Sequence, residues 1–307
     1  MPTTLTEAAK LSNDVLLAGV IETIVKESPI LQSMPFIEIV GNALTYNREK
    51  TLPSAEWHAP NDDWTTSPNI TFDQLTATLK ILGQNADVDN YIKSTRNNVQ
   101  DIEAAIIEIT AKAIRHEFDR AFIYGSSAAD ANQFDGIRLL INTLAASGQV
   151  IAAGATGATL TLAMLDQLID AIKGQKPDLL LMSRRSRRKI NALARAAGNN
   201  LEVGQGKLGE FVQLYNGIAI GINDWILDTH TLVGSVETAT TGATSSTIYA
   251  LCFGEGAVCG VTGPGGLTIE PIGSMETKDA TRNRIKWYTS VADFSLVKRA
   301  ALIGVQD

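Results

Sequence analysis

Apolar and polar positions alternate along this chain at two periods, and each stretch of constant period predicts an element. Leu16, Leu17, Val20, Ile21, Ile24 and Val25 follow the helical period until Pro29 ends the run, which predicts a small amphipathic helix on a leading arm. Residues 36–40 alternate as a strand. So do 44–48 and 71–82, and between them runs a polar connection, 53–68, holding Trp57, His58, Asn61, Asp62, Asp63 and Trp64. Hairpin loops in compact domains span about 2–5 residues. A connection this long predicts a projecting two-stranded loop, whose two tryptophans need a surface supplied by something else.

Asn97 or Asn98 then caps a long helix with Asp101 and Glu103 in its first turn. Val99, Ile102, Ile106, Ile109, Ala113 and Phe118 mark its expected buried stripe, and Gly125 stops it. About 25 residues at ~1.5 Å each make it nearly 40 Å long. A helix, a strand and a helix follow. Thr159 or Thr161 caps the first, with Leu162, Leu165, Leu168, Ile169 and Ile172 on its apolar side; 178–182 is a short, wholly apolar and therefore buried strand. Ser183 caps the second, 184–197, with Ile190 and Leu193 inward and Gly198 as the stop. After a glycine-rich segment at 203–209, strands are expected at 211–215, 218–222, 247–253, 257–261, 267–271, 284–290 and 294–301. No repeat of 20–50 residues is present. The fold class is α+β.

Composition narrows the function. The 307 residues are 45% hydrophobic and 19% charged, with a net charge of −7. That is globular material, and the acidic balance argues against a protein whose main task is gripping nucleic acid. One segment runs the other way: 183–189 holds Arg184, Arg185, Arg187, Arg188 and Lys189, with Arg195 beyond, and reads as a solvated or subunit-facing helix surface. No run approaches the ~18 apolar residues of a membrane helix, the best being 211–226. The start lacks a basic and apolar leader, so synthesis and retention in a cytoplasm are expected. Cys252 and Cys259 then read as buried thiols, although the turn at 254–256 leaves a cross-hairpin disulfide open.

Catalytic patterns fail one after another. Gly204, Gly206 and Gly209 match a dinucleotide fingerprint in letters, but a strand follows where the mechanism needs a helix N-terminus. Lys207 lacks the first glycine of a phosphate loop. His116 sits inside the long helix, and His58 and His230 fall in polar loops without ligand partners in sequence. No catalytic, cofactor or metal residue is assigned, and no enzyme is expected.

The order of the elements resembles the major capsid protein of tailed double-stranded DNA bacteriophages, with its HK97-like shell fold. The residues that carry it are Phe134-Asp135-Gly136-Ile137 after the long helix, 165–172, and 177–185. They continue with Tyr215-Asn216-Gly217-Ile218, Asp224, 248–251, Phe253-Gly254-Glu255-Gly256 and Ile285-Lys286-Trp287-Tyr288. The resemblance implies an N-terminal arm at 1–40 and an extended loop at 41–83. It further implies a peripheral domain with a spine helix from 84–148 and 264–307, and an axial α/β domain at 149–263. The implied function is a subunit that self-assembles through hexameric and pentameric capsomers into an icosahedral shell around the genome. Weak non-specific contact with packaged DNA, a portal and possible decoration proteins come with that reading, without a cofactor or a membrane. About 35 residues precede the first strand, so a separate scaffolding protein is implied. Localisation would be the virion, after assembly in the host cytoplasm. Trp57, Trp64, Lys50, Arg184 and Arg185 are the expected intersubunit contacts. Some relatives weld subunits through a Lys–Asn isopeptide bond; Lys50 lies in the loop, but no motif for its partner is present, so that activity is not implied. The alternatives are an encapsulin-type shell, for which residues 7–26 could line the cargo surface, and an α/β-domain enzyme.

Overall fold

The structure is a computed structural model that describes residues 28–51, 57–63, 71–91, 94, 102–144, 148–198, 201–205, 211–233, 236–238 and 244–306. The leading helix at 16–25, Asn97, Asn98, Lys207 and Trp64 lie outside the described residues, as does the Lys50 side chain. The first half comprises α1 (Pro29–Ser33), β1 (Phe36–Glu38), β2 (Ala43–Thr51), β3 (Thr71–Thr78), β4 (Lys80–Asp89), α2 (Ile102–Tyr124) and α3 (Ile137–Asn142). Next come β5 (Val150–Ala152), β6 (Ala158–Thr159), α4 (Leu162–Asp170), β7 (Leu179–Met182), α5 (Arg184–Ala196), β8 (Glu202–Gln205), β9 (Phe211–Tyr215) and β10 (Ile218–Ile222). The chain ends through β11 (Thr231–Val233), β12 (Val236–Thr238), β13 (Ser246–Leu251), β14 (Val258–Ser274), β15 (Ala280–Asp293) and β16 (Arg299–Gln306). No described helix is long and apolar enough to cross a membrane.

Two sheets organise these elements. The larger runs β5-β16-β13-β7-β10-β9-β8, with β6 also on β16, and the smaller runs β1-β14-β15-β4. The unbroken apolar run of β7 is explained by burial on both faces of the larger sheet. Leu179 and Leu181 join Phe118, Phe122 and Ile123 of α2 on one side, while Leu180 and Met182 join Leu165, Leu168 and Ile169 of α4 and Ile190 of α5 on the other. β13 and β16 split in the same way: Tyr249, Leu251, Ala301 and Ile303 face α2, and Ile248, Ala250, Ala300 and Leu302 face the helix pair. Between β9 and β10, Asn216 (φ +51°) and Gly217 (φ +75°) make a two-residue turn with both centres in the left-handed region, the geometry a tight hairpin requires.

Strand pairing redraws some expected boundaries. The run at 71–82 is two strands in different sheets, parted at Leu79, whose N–H donates to Asn42 O (2.8 Å) and closes the hairpin base. The expected strands at 257–261 and 267–271 are one strand, β14, which carries a bulge between Thr262 and Leu267. The range 264–307 is divided: β15 stays beside α2 in the smaller sheet, but β16 pairs antiparallel with β13 in the larger one. Only that sheet offers β16 cover on both faces, and seven of its eight residues are buried.

The long helix spans 23 described residues and is rotated from the expected phase. Its buried stripe is Ile107, Ala111, Ile114, Phe118, Ala121 and Phe122, whereas Ile109 is 67% exposed, Ala113 is exposed and Ile106 is only partly buried. Apolar residues occur on more than one side of this helix, and the sheet partners Ala86, Ile285 and Trp287 decide which side is covered. His230 is a second correction: it is fully buried rather than in a polar loop, with the Tyr124 hydroxyl 2.6 Å from its Nε2.

Cys252 and Cys259 are free and buried. They belong to different apolar surroundings, Cys252 beyond the end of β13 and Cys259 within β14, where its Sγ donates to Pro35 O (3.2 Å). Burial pushes the Cys259 thiol up to about 11 and raises that of Cys252. At pH 8 neither thiol of the folded subunit should react with an aromatic disulfide reagent, and both should react in guanidinium. Prompt labelling of the folded protein would contradict their burial.

Candidate functional site

The hairpin β2–β3 is built in two parts. Its register sets Leu44 opposite Ala77, Tyr46 opposite Leu75 and Arg48 opposite Asp73, so these residues share one face. On that face Leu44, Tyr46 and Ala77 pack with Ile39, Val261, Ala292 and Phe294, and the Tyr46 and Phe294 rings lie 4.6 Å apart. Asp293 N donates to the Tyr46 hydroxyl (3.1 Å), and Arg48 Nη1 donates to Asp293 Oδ2 (3.1 Å). Asp293 is also ion-paired with Arg299, which is 1% exposed and donates from Nη2 to Leu140 O (3.2 Å). One buried carboxylate thus holds two guanidiniums, fixing the hairpin root to the start of β16. The root lines a groove of about 360 Å³.

Beyond this root the exposed apolar residues begin. Phe72 is 62% exposed, and Trp57, in the described tip segment 57–63, is fully exposed beside exposed Asp62 and Asp63.

The basic helix is fixed by its own loop contacts. Ser183 caps α5 by accepting from Ser186 N (3.3 Å), and its hydroxyl donates to Asp228 Oδ1 (2.6 Å). Arg185 donates to Thr244 O (2.6 Å) and pairs with Asp228 (3.5 Å), which leaves it largely buried inside one subunit. Arg184 grips Asp224 with two bonds, of 2.5 and 2.9 Å, and stays exposed. That guanidinium holds the Asp224 carboxyl below its ordinary range. β7 and β10 are parallel, and α5 begins at the end of β7, the position where α/β folds receive anionic ligands. Here Asp228, the chain's own carboxylate, sits on the cap residue.

Gly204 lies inside β8, paired opposite Val212 of β9, so the first glycine of the fingerprint falls on a strand; Gly206 and Gly209 lie outside the described residues. Among the described residues there is no group of three or more His, Cys, Asp or Glu able to hold a metal ion. His116 lies on the exposed side of α2, with Arg115 Nη2 2.9 Å from its Nε2. What the described residues do present is a hairpin with a rooted base and a fully exposed tryptophan between its strands in sequence.

A model of the phage capsid family matches residues 11–231. The chain belongs to the phage capsid family. It is a shell-forming structural subunit that assembles with copies of itself, and its place is the virion capsid. The fold of this capsid protein is similar to that of the holo-SrpI encapsulin complex from Synechococcus elongatus PCC 7942, at TM-score 0.66 and 14% identity over 90% of this chain and 87% of that one. It is also similar to the capsid of an empty GTA particle (TM-score 0.63, 15% identity, 91% and 90% covered). A third likeness is to a structure from Mycobacterium phage Bobi (0.62, 16%, 91% and 90%). These likenesses place the α+β subunit in the HK97-like capsid fold. No curated protein sequence matches the capsid chain.

One buried carboxyl of the capsid subunit makes a pH prediction. Asp119 on α2 accepts from the hydroxyl of Ser28 (2.7 Å), which is fully buried and caps α1 at the end of the leading arm. Burial pushes the Asp119 carboxyl up to about 6, against the opposing effects of the Ser28 bond and the Arg115 charge. An acid whose folded value is raised destabilises the folded state above that value, and the penalty disappears as pH falls through 6 towards 4. The penalty is on the order of 2–3 kcal/mol. Asp119→Asn keeps an acceptor for Ser28, so the variant should melt higher than wild type at pH 7.5 and lose most of that advantage at pH 4.5. Equal melting temperatures of variant and wild type at both pH values would show that the fold does not raise the Asp119 carboxyl.

Proposed function

We propose that this subunit builds the icosahedral shell, of hexameric and pentameric capsomers, that encloses the double-stranded DNA of a tailed phage. The observation that carries the reading is the fully exposed Trp57 on a hairpin whose root is locked to the body. In this reading the hairpin, about 41–83, is the extended loop reaching a neighbour, and the residues before it form the arm. The smaller sheet with α2 is the peripheral unit, and the larger sheet with α4 and α5 is the axial one. Trp57, Trp64 and Lys50 are the principal intersubunit contacts; Arg184 is exposed, and Arg185 acts mainly within the subunit. A subunit of this kind needs no catalytic site. Its acidic charge keeps packaged DNA loosely held, and scaffolding, portal and decoration proteins are its partners during assembly in the host cytoplasm.

Expression of the chain followed by electron microscopy tests this: closed shells of uniform diameter are expected, and a protein that remains monomeric at high concentration, with or without a scaffolding partner, would overturn it. The likeness to an encapsulin structure at TM-score 0.66 supports a second reading, a shell around protein cargo. Co-purified enzyme inside the particles would favour that reading over the genome shell.

A further inference from the structure

The end of the leading arm is seated in the body through one short segment, 28–34. Pro29 lies against β10, where a Cβ added at Gly221 would come within 3.1 Å of Pro29 Cβ. Ile30, Leu31 and Met34 are buried in the apolar cluster that holds Phe118, Phe122 and Leu181. A side-chain hydrogen bond ties the segment to the helix beneath it: the Ser28 hydroxyl, fully buried, donates to Asp119 Oδ1 (2.7 Å). The same hydroxyl oxygen accepts from Leu31 N (3.3 Å), so the group that caps α1 is also the group that meets the carboxyl.

Asp119 is 8% exposed, and little charge stands near it. α1 (Pro29–Ser33) and β10 (Ile218–Ile222), the elements packed here, hold no titratable side chain. α2 contributes Arg115, one turn away, and Arg115 is shared with Asp224 of the loop after β10, which also meets His116 and Arg184. Lys26 and Glu27, which precede Ser28, lie outside the described residues. We propose that Asp119 is an acid-closed latch on the arm: with its carboxyl neutral, segment 28–34 stays seated between α2 and β10, and with the carboxyl ionised the segment opens while the rest of the subunit stays folded. A carboxylate under the seated segment lacks the water that reaches it once the segment lifts, so ionisation weighs on the closed state. Burial holds the carboxyl at about 6 in the seat, against an ordinary 3.8 in water, and by linkage opening becomes about tenfold easier at pH 7.5 than at pH 5. Opening stays rare at both pH values, because Ile30, Leu31 and Met34 leave the core with it. Use of the latch to set how firmly the arm is held when subunits meet rests on the shell reading above; the opening itself does not.

Hydrogen exchange of dissociated full-length subunits, corrected for the chemical rate at each pH, tests the latch. Peptides covering 28–34 should lose about tenfold in protection between pH 5 and pH 7.5, and at both pH values they should exchange faster than peptides from β13. Asp119→Asn, which cannot ionise, should show no such loss. Ser28→Ala removes the donor that favours the ionised form, so the loss of protection should move to higher pH. Equal corrected protection of 28–34 at both pH values, the same loss in Asp119→Asn, an unmoved loss in Ser28→Ala, or exchange of 28–34 only together with β13 would each overturn the latch. None of these outcomes touches the shell reading, which particle formation alone decides.

Discussion

Subunits carrying Trp57→Ser should melt within about 2 °C of wild type and yet form few shells or none. The side chain is fully exposed in the isolated subunit, so its removal takes almost nothing from the fold. An aromatic anchor buried at an interface typically contributes ~2 kcal/mol or more, and a closed shell repeats that loss at every contact. Trp64→Ser, added on the grounds of the sequence alone, should deepen the assembly defect. If these tryptophans belonged to a core, as an enzyme reading would have it, each substitution would lower the subunit's own stability by about 3–5 kcal/mol. Thermal melts of dissociated protein, set beside particle counts in micrographs, separate the two outcomes. Normal particle numbers from the double variant would end the assignment of this hairpin as an intersubunit loop.

Ile107→Asp should abolish folding itself. Ile107 is fully buried between α2 and the smaller sheet, in the same apolar cluster as Ala86, Ile285 and Trp287. A carboxylate there has no partner, and the penalty of several kcal/mol is comparable with the ~5–15 kcal/mol that holds a whole domain together. Two positions along the helix, Ile109→Asp should change stability by no more than ~0.5 kcal/mol, because Ile109 is already two-thirds in water. Ile106→Asp, at a partly buried position, should fall between them. Circular dichroism melts of the three variants read the rotation of the helix directly: equal effects at 107 and 109 would show that the buried stripe lies elsewhere.

That comparison marks how far the sequence could be read. The long helix and its end at Gly125 were legible because apolar residues recur at 3–5-residue intervals and glycine stops the run. Its phase was not, since the segment from Ile102 to Ile109 offers apolar residues on more than one side and only packing chooses among them. The cap at Ser183, the buried strand Leu179–Met182 and the pairing of two strands around a long polar connection follow from local chemistry, and all are present in the fold. The ion cluster at the hairpin root was invisible. Arg48, Asp293 and Arg299 are separated by up to 251 positions, and nothing in the local pattern of any one of them requires the other two. The buried state of His230 was hidden for the same reason, its partner Tyr124 lying on another element.

The sequence by itself determined the kinds of element, their order, the projecting tryptophan and the acidic balance, because period, turn chemistry and charge are properties of neighbours along the chain. Tertiary structure alone decided which face of α2 is buried, that β16 crosses into the larger sheet, and that Arg185 is spent within the subunit. Each of these depends on which distant backbone supplies the opposite surface, and that choice is made by the packing of whole sheets and not by any local window of residues.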